Sequence, residues 1–306
     1  MTGESTYNSV LSSLRTLSLT EKISILAELT KIRITILVVL TTILGYLLSA
    51  QTFELNLIFV SAGIFFLACG ASVFNHFQEK DSDLLMNRTK RRPLPAKKIQ
   101  PKTVLIIAFT LVIIGSLILL LFVNIISFCI GLITLIWYNF VYTPLKKKTI
   151  WAIIPGSFVG ALPPLAGYFA NQHAILSWQI IVVSVYLFIW QIPHFWILLL
   201  KFEKDYKKAN FPVITDRYST QIIKYVSVIL SIFSILLATA ASFFLLDYFV
   251  LLVMLFITMA LAIYSITKFL RKDLSEKSLT ICFITINFFT LIFILLVSTN
   301  QVLNKI

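Results

Sequence analysis

The sequence predicts an all-α integral membrane protein, a bundle of nine transmembrane helices. Hydrophobic residues make up 58% of its 306 positions and charged residues only 13%, against roughly 45–50% and about 25% in soluble domains. Mean hydropathy is +0.93. Nine segments are apolar over the ~20 residues that one bilayer crossing needs. They lie near 34–50, 55–74, 103–122, 125–142, 151–170, 176–199, 222–246, 248–267 and 279–298. The chain reads as one polytopic domain over residues 1–306. Residues 1–20 are polar and Ser/Thr-rich without a signal-peptide layout and are expected to form a flexible tail, and Glu21–Arg33 is expected to be a short interfacial lead-in helix.

The distribution of charge supports the count of spans. The connections Gln51–Glu54, Val123–Asn124, Asn171–Ile175 and the turn around Asp247 hold no Lys or Arg. The other connections and the N-terminal segment hold 25 of the 26 bases, and only Lys305 falls opposite. The positive-inside rule makes the basic face cytoplasmic, with the N-terminus inside and the C-terminus outside, in the cell's inner membrane. A net charge of +13 would suggest nucleic acid in a soluble chain. Here anionic lipid at the basic face accounts for most of it, and no nucleic-acid partner is expected. Cys69, Cys129 and Cys282 are scattered in spans with no CxxC, so they read as small apolar residues, not a haem attachment or metal knuckle.

The most informative stretch begins where the second span runs out. Asn75, Glu79, Asp81 and Asp83 fall within nine residues, followed by Arg88, Lys90, Arg91, Arg92 and Pro93-Leu94-Pro95. On a helix Asn75, Glu79 and Asp83 form one stripe, while Asp81 lies opposite unless the helix unwinds. Hard oxygen donors of this kind suit Mg²⁺, which bridges carboxylates to substrate phosphates. Arginines give bidentate contacts to phosphate oxygens, and the prolines shape the loop that carries them. Clustered acids beside clustered bases at a helix mouth match the chemistry of a diphosphate. The bland alternative is a solvated acidic patch balanced by the bases after it.

Further polar foci fall on the same face. His194 follows Pro193 in the sixth span, and Lys201-Phe202-Glu203-Lys204-Asp205-Tyr206 ends it. A histidine there is more often a hydrogen-bonded core residue than a ligand. Lys146 ends the fourth span and can reach a phosphate, with Lys147 and Lys148 serving topology. Pro155, Gly156, Gly160, Pro163, Pro164 and Gly167 in the fifth span can close-pack helices or bend one around a ligand. A few of the many aromatic rings could stabilise an allylic cation through their π faces.

Asn75-x-x-x-Glu79-x-Asp81-x-Asp83-x-x-Met86-x-Arg88-Thr89 followed by Arg92-Pro93-Leu94-Pro95 resembles the UbiA prenyltransferase superfamily. Within it the chain is similar to the branch that farnesylates protohaem IX. Leu29–Thr35, Tyr142-Thr143-x-Leu145-Lys146, Gly160–Gly167, Pro193-His194-Phe195-Trp196 and Lys204-Asp205-Tyr206 through Pro212 extend the likeness over most of the chain. It departs from the pattern in having Ile32 for a proline, Glu79 for an aspartate, Arg91 for an asparagine, and Ala209 where the wider superfamily has a second aspartate. The last of these argues against an aromatic-ring prenylator with two full acidic motifs.

The resemblance implies a helix bundle around a central cavity open toward the cytoplasm. It implies farnesyl diphosphate as donor and haem B as acceptor, giving haem O and diphosphate for terminal oxidases. Mg²⁺, or another divalent cation, would sit on Asn75, Glu79 and Asp83, with Asp81 beside them. Arg88, Arg92, Lys146 and Lys201 would hold the diphosphate, Asp205 would complete the polar lid, and His194 would face the haem. Haem A synthase or a terminal oxidase assembly would be the partner beyond the lipid bilayer. Competing readings are a prenyltransferase of the same fold acting on 4-hydroxybenzoate or another quinone precursor, a transporter, and a non-catalytic assembly factor. A transporter would place its polar groups near the midplane, whereas these cluster at one face.

Overall fold

The computed structural model describes residues 18–50, 52, 54–270 and 275–306, and among these all regular structure is helical. The expected tail lies outside the described residues as far as residue 17. Helix α1 (Leu19–Leu29) starts at a capping box in which Ser18 and Glu21 satisfy each other's backbone N–H. It is the anticipated lead-in helix, but it stops early because the chain breaks at Lys31, whose φ is +46°.

The long helices are α2 (Ile32–Ser49), α3 (Leu55–Leu85), α4 (Pro101–Phe122), α5 (Ile125–Ile136), α6 (Ile153–Tyr168), α7 (Trp178–Lys201), α9 (Thr220–Leu245), α10 (Phe249–Leu270) and α11 (Glu276–Leu303), with the short α8 (Glu203–Lys208) after α7. A π segment, Trp137–Tyr142, and the turn Thr143–Leu145 extend α5. Among the described residues nine helical segments are long and apolar enough to cross a membrane, one for each predicted span. Helix α3 runs well past the predicted end at residue 74, and its last turns carry the acidic stretch.

Side-chain contacts sort the helix ends onto two rims. On one, Asn124 donates to Phe169 O at 2.7 Å, Asn171 to Ser49 O at 2.8 Å, Asn300 to Asp247 at 3.0 Å and Lys305 to Leu47 O at 2.6 Å. The other gathers Lys31, the end of α3, the loop after it, the end of α5 and the α7–α8 elbow. Among the described residues, the base-poor connections belong to the first rim.

Lipid is as apolar as leucine, so close packing and hydrogen bonds hold the helices together. The question left open for α6 resolves toward close packing. The helix is continuous with Pro163 and Pro164 inside it. A Cβ on Gly45 would run into the Pro164 carbonyl, and one on Gly167 into the Thr42 carbonyl. Thus α2 and α6 touch backbone to backbone. A larger cluster joins α7, α9, α10 and α11 around Tyr186, Leu255, Phe289 and Phe293, and Tyr186 and Thr290 share a hydrogen bond of 2.7 Å inside it.

Candidate active site

Helix α3 buries Asn75, Glu79 and Asp83 on one face at its base-rich end. Each meets a cation from a different segment. Lys31 Nζ donates to Asn75 Oδ1 at 2.9 Å, Lys146 pairs with Glu79, and Arg92 Nη1 lies 2.7 Å from Asp83 Oδ2. The carboxylates are 8% and 4% exposed, and their partners Lys146 and Arg92 are 22% and 19% exposed. An arriving anion therefore meets the cations first. Asp81 does not join this set. The helix stays wound through Leu85 and leaves Asp81 exposed on the opposite side, which corrects its expected place among the metal ligands.

Charges at this mouth shift one another. Burial pushes the Lys146 ammonium down, but the adjacent Glu79 carboxylate more than offsets it and holds the group above the usual lysine range. Lys31 makes no ion pair among the described residues, and burial, aided by the nearby Arg92 charge and only partly offset by the Glu79 and Asp83 carboxylates, lowers it to about 7.

The loop after α3 is folded back over this face. Thr89 Oγ1 donates to Asp83 O at 3.0 Å, and turn bonds run from Ala96 N to Arg92 O and from Lys98 N to Pro93 O. The second polar focus reaches the same loop: Arg88 N–H donates to Asp205 Oδ2 at 2.9 Å. The Arg88 guanidinium lies 4.7 Å from the Phe202 ring centroid, and the Lys201 ammonium 5.3 Å from the same centroid. The two foci do converge, but Asp205 meets backbone of the loop and not the α3 carboxylates. His194 stands apart among the rings of Trp190, Phe195 and Phe283, with centroids 4.9, 5.6 and 4.7 Å away.

The sequence reading passed over several residues that build this mouth. Gln78 Nε2 donates to Asn139 O at 2.8 Å, while Asn139 Nδ2 donates to Ala71 O at 3.0 Å and to Gln78 Oε1 at 3.1 Å. Engaging a helix carbonyl from the side accompanies the widened π turn over Trp137–Tyr142. That turn stacks Tyr138 on Tyr142 at 5.9 Å, and Tyr142 faces Phe195 at 6.0 Å. Thr143 accepts from Asn75 Nδ2 at 3.2 Å. An asparagine inside an otherwise apolar span was the available signal, because a buried amide needs partners. Lys31 figures in the sequence among the bases that set topology and within the Leu29–Thr35 stretch of the likeness, with no part in the site.

The sequence profile of the UbiA prenyltransferase family matches residues 38–295. The chain belongs to that family. Among its relatives, protoheme IX farnesyltransferase 2 of Pseudoalteromonas atlantica is 36% identical over 217 residues, covering 68% of this chain and 70% of the relative. The solved digeranylgeranylglyceryl phosphate synthase superposes with a TM-score of 0.72 at 18% identity, covering 92% of this chain and 99% of that one. A UbiA homologue from Archaeoglobus fulgidus bound to GPP and Mg²⁺ superposes at 0.63 with 14% identity, covering 90% and 99%. At these identities the two structures speak for the fold. The chain is a multi-pass membrane protein and a prenyltransferase.

Divalent-cation use in the UbiA family can be weighed against the residues present. Among the described residues no group of three or more His, Cys, Asp and Glu is placed to hold a metal. The α3 face offers two carboxylates and an amide oxygen, a set of hard donors short of a closed cage. Such an incomplete set fits an ion that keeps water and bridges to substrate phosphate.

Proposed function

We propose that this protein transfers the farnesyl group of farnesyl diphosphate to a vinyl group of haem B with addition of water, giving haem O and diphosphate. The C1–O bond of the donor breaks, a bond forms from C1 to the terminal vinyl carbon, and water adds its hydroxyl to the inner vinyl carbon with loss of a proton. The observation that carries the reading is the row of Asn75, Glu79 and Asp83 on one helix face, each matched by a cation from another segment. The name of the farnesyltransferase relative described above supports haem as acceptor.

Glu79 and Asp83, with Asn75, would hold Mg²⁺ or a like ion, which when bound neutralises the departing diphosphate. Lys146 and Arg92 exchange their carboxylate partners for phosphate oxygens when the substrate arrives. Arg88 and Lys201 add charge from the Phe202 side. Asp205 acts through Arg88, holding the loop closed by its backbone bond. Preorganised positive charge of this kind stabilises charge that develops on the leaving group. Tyr142, Tyr138 and Phe195 supply π faces just beneath, where an allylic cation would form. His194 lies deeper along α7 and is the candidate haem-side contact.

The basic rim is the cytoplasmic one, so the N-terminus and the site face inward across the inner membrane and the C-terminus faces out. The product serves a haem A synthase or a terminal oxidase assembly. Incubating membranes that hold this protein with haem B, farnesyl diphosphate and Mg²⁺ should yield a haem heavier by a hydroxyethylfarnesyl conversion of one vinyl. A prenylated phenol from 4-hydroxybenzoate, with haem unchanged, would overturn the acceptor.

A further inference from the structure

Gln191 is a buried amide to which the chemistry above gives no part. It lies on α7, 8% exposed, in a span otherwise made mainly of aliphatic and aromatic residues. Two glycines one turn apart on α6 fix its place. A Cβ on Gly156 would meet the Tyr142 ring at 2.7 Å and the Phe195 ring at 3.3 Å, and a Cβ on Gly160 would run into the Gln191 amide. The Lys146 ammonium stands 5.4 Å from the Tyr142 centroid, and the Tyr142 and Phe195 centroids are 6.0 Å apart. Inward from the mouth, the order is therefore Lys146, then the Tyr142 and Phe195 rings, then the Gln191 amide about 5 Å deeper, one helical turn.

An amide inside a transmembrane span commonly joins its helix to a neighbour by hydrogen bonds. Gln191 does not. Its Nε2 donates to Leu187 O of its own helix at a long 3.4 Å, and its Oε1 makes no hydrogen bond among the described residues. A buried oxygen left unmatched is costly, and an apolar side chain would fill the same seam without that cost. The free acceptor stands where the proposed reaction needs one. Once C1 of the donor has bonded to the terminal vinyl carbon, the inner vinyl carbon is left cationic. Water has to reach it in a place walled by aromatic rings and aliphatic side chains.

We infer that Gln191 holds the water consumed in the reaction, its Oε1 accepting one O–H so that an oxygen lone pair faces the inner vinyl carbon. The inference rests on the haem farnesylation proposed above. Diphosphate leaves with the C1–O electron pair, and the vinyl π pair forms the new carbon–carbon bond. The held water then supplies the pair for the C–O bond, and its proton passes to the released diphosphate. Without a held water, the cation loses a proton from the adjoining methylene to the same base. The product is then an alkene, lighter than haem O by one water. A Gln191 that only packs against Gly160 has no influence on that choice.

The test is the product split, read by mass spectrometry after the purified full chain has turned over haem B and farnesyl diphosphate with Mg²⁺. Gln191→Leu removes the acceptor and keeps a side chain in the seam. It is expected to raise the ratio of alkene to haem O at least about tenfold, the scale of losing one hydrogen bond to a positioned water. Gln191→Glu, which keeps an acceptor oxygen at the same reach, is expected to hold the ratio near that of the unsubstituted protein. A folded Gln191→Leu with an unchanged ratio, whatever its rate, would assign the residue to packing and overturn the inference. Equal alkene from Gln191→Leu and Gln191→Glu would overturn it as well. Where Gln191→Leu does not fold, Gln191→Met is judged by the same criteria, and failure of both to fold would also assign the residue to packing. An unsubstituted protein that forms no farnesylated haem of either kind would remove the haem reading itself, and the Gln191 assignment with it.

Discussion

Asp83 is the residue on which the chemistry bears hardest, because it is buried, faces Arg92 and closes the row that starts at Asn75. Asp83→Asn keeps an acceptor for Arg92 but removes the charge. The protein should remain folded by size-exclusion chromatography while haem O formation falls at least about 100-fold, the scale of losing a preorganised electrostatic contact. Turnover near that of the unsubstituted protein would rule out the metal role. Arg88→Ala should raise the KM for farnesyl diphosphate about tenfold, as for loss of a charged contact, and leave that for haem B near its starting value. The reverse order would contradict the assignment. Asp205 is tested by a pair of substitutions. If it works by accepting the Arg88 N–H, Asp205→Asn retains most activity and Asp205→Ala loses it. Equal collapse of both would mean that the carboxylate charge itself is used. The four-residue spacing was legible from the chain alone, but its partners were not. Pairing Lys146 with Glu79 or Arg88 N–H with Asp205 depends on which helices become neighbours, which no local pattern encodes.

At the scale of elements, all nine spans were readable because lipid demands long uninterrupted apolar helices. What escaped was the local exception. The π segment arises from amides of Gln78 and Asn139 meeting across two helices, and the break at Lys31 carries no glycine to announce it. The backbone contact of α2 with α6 gives a sharp test. Gly45→Ala pushes a methyl into the Pro164 carbonyl, and neither helix can yield without moving the other. A destabilisation of about 1–3 kcal/mol is expected from such overpacking, read as a lower thermal midpoint. Gly131→Ala is the control. Its Cβ would meet the tips of Leu67 at 2.8 Å and Ile64 at 3.2 Å, side-chain ends that can swing away, so the midpoint should barely move.

Seen whole, the molecule separates its labour between two rims. One is stitched by Asn124, Asn171, Asp247, Asn300 and Lys305 and carries little charge. The other holds the acidic row, its cations and the loop that covers them. The segregation of bases was legible in the sequence because topology and the proposed diphosphate site call for positive charge on the same face. In a cysteine-free background, a membrane-impermeant thiol reagent added to intact cells should label Asn304→Cys and spare Lys98→Cys. The opposite pattern would invert the orientation. The most direct measurement of the whole account is turnover of purified protein with haem B and farnesyl diphosphate before and after exhaustive chelation. Haem O formation should cease without a divalent cation and return when Mg²⁺ is restored. Equal turnover in the chelated sample would contradict the role given to Asn75, Glu79 and Asp83.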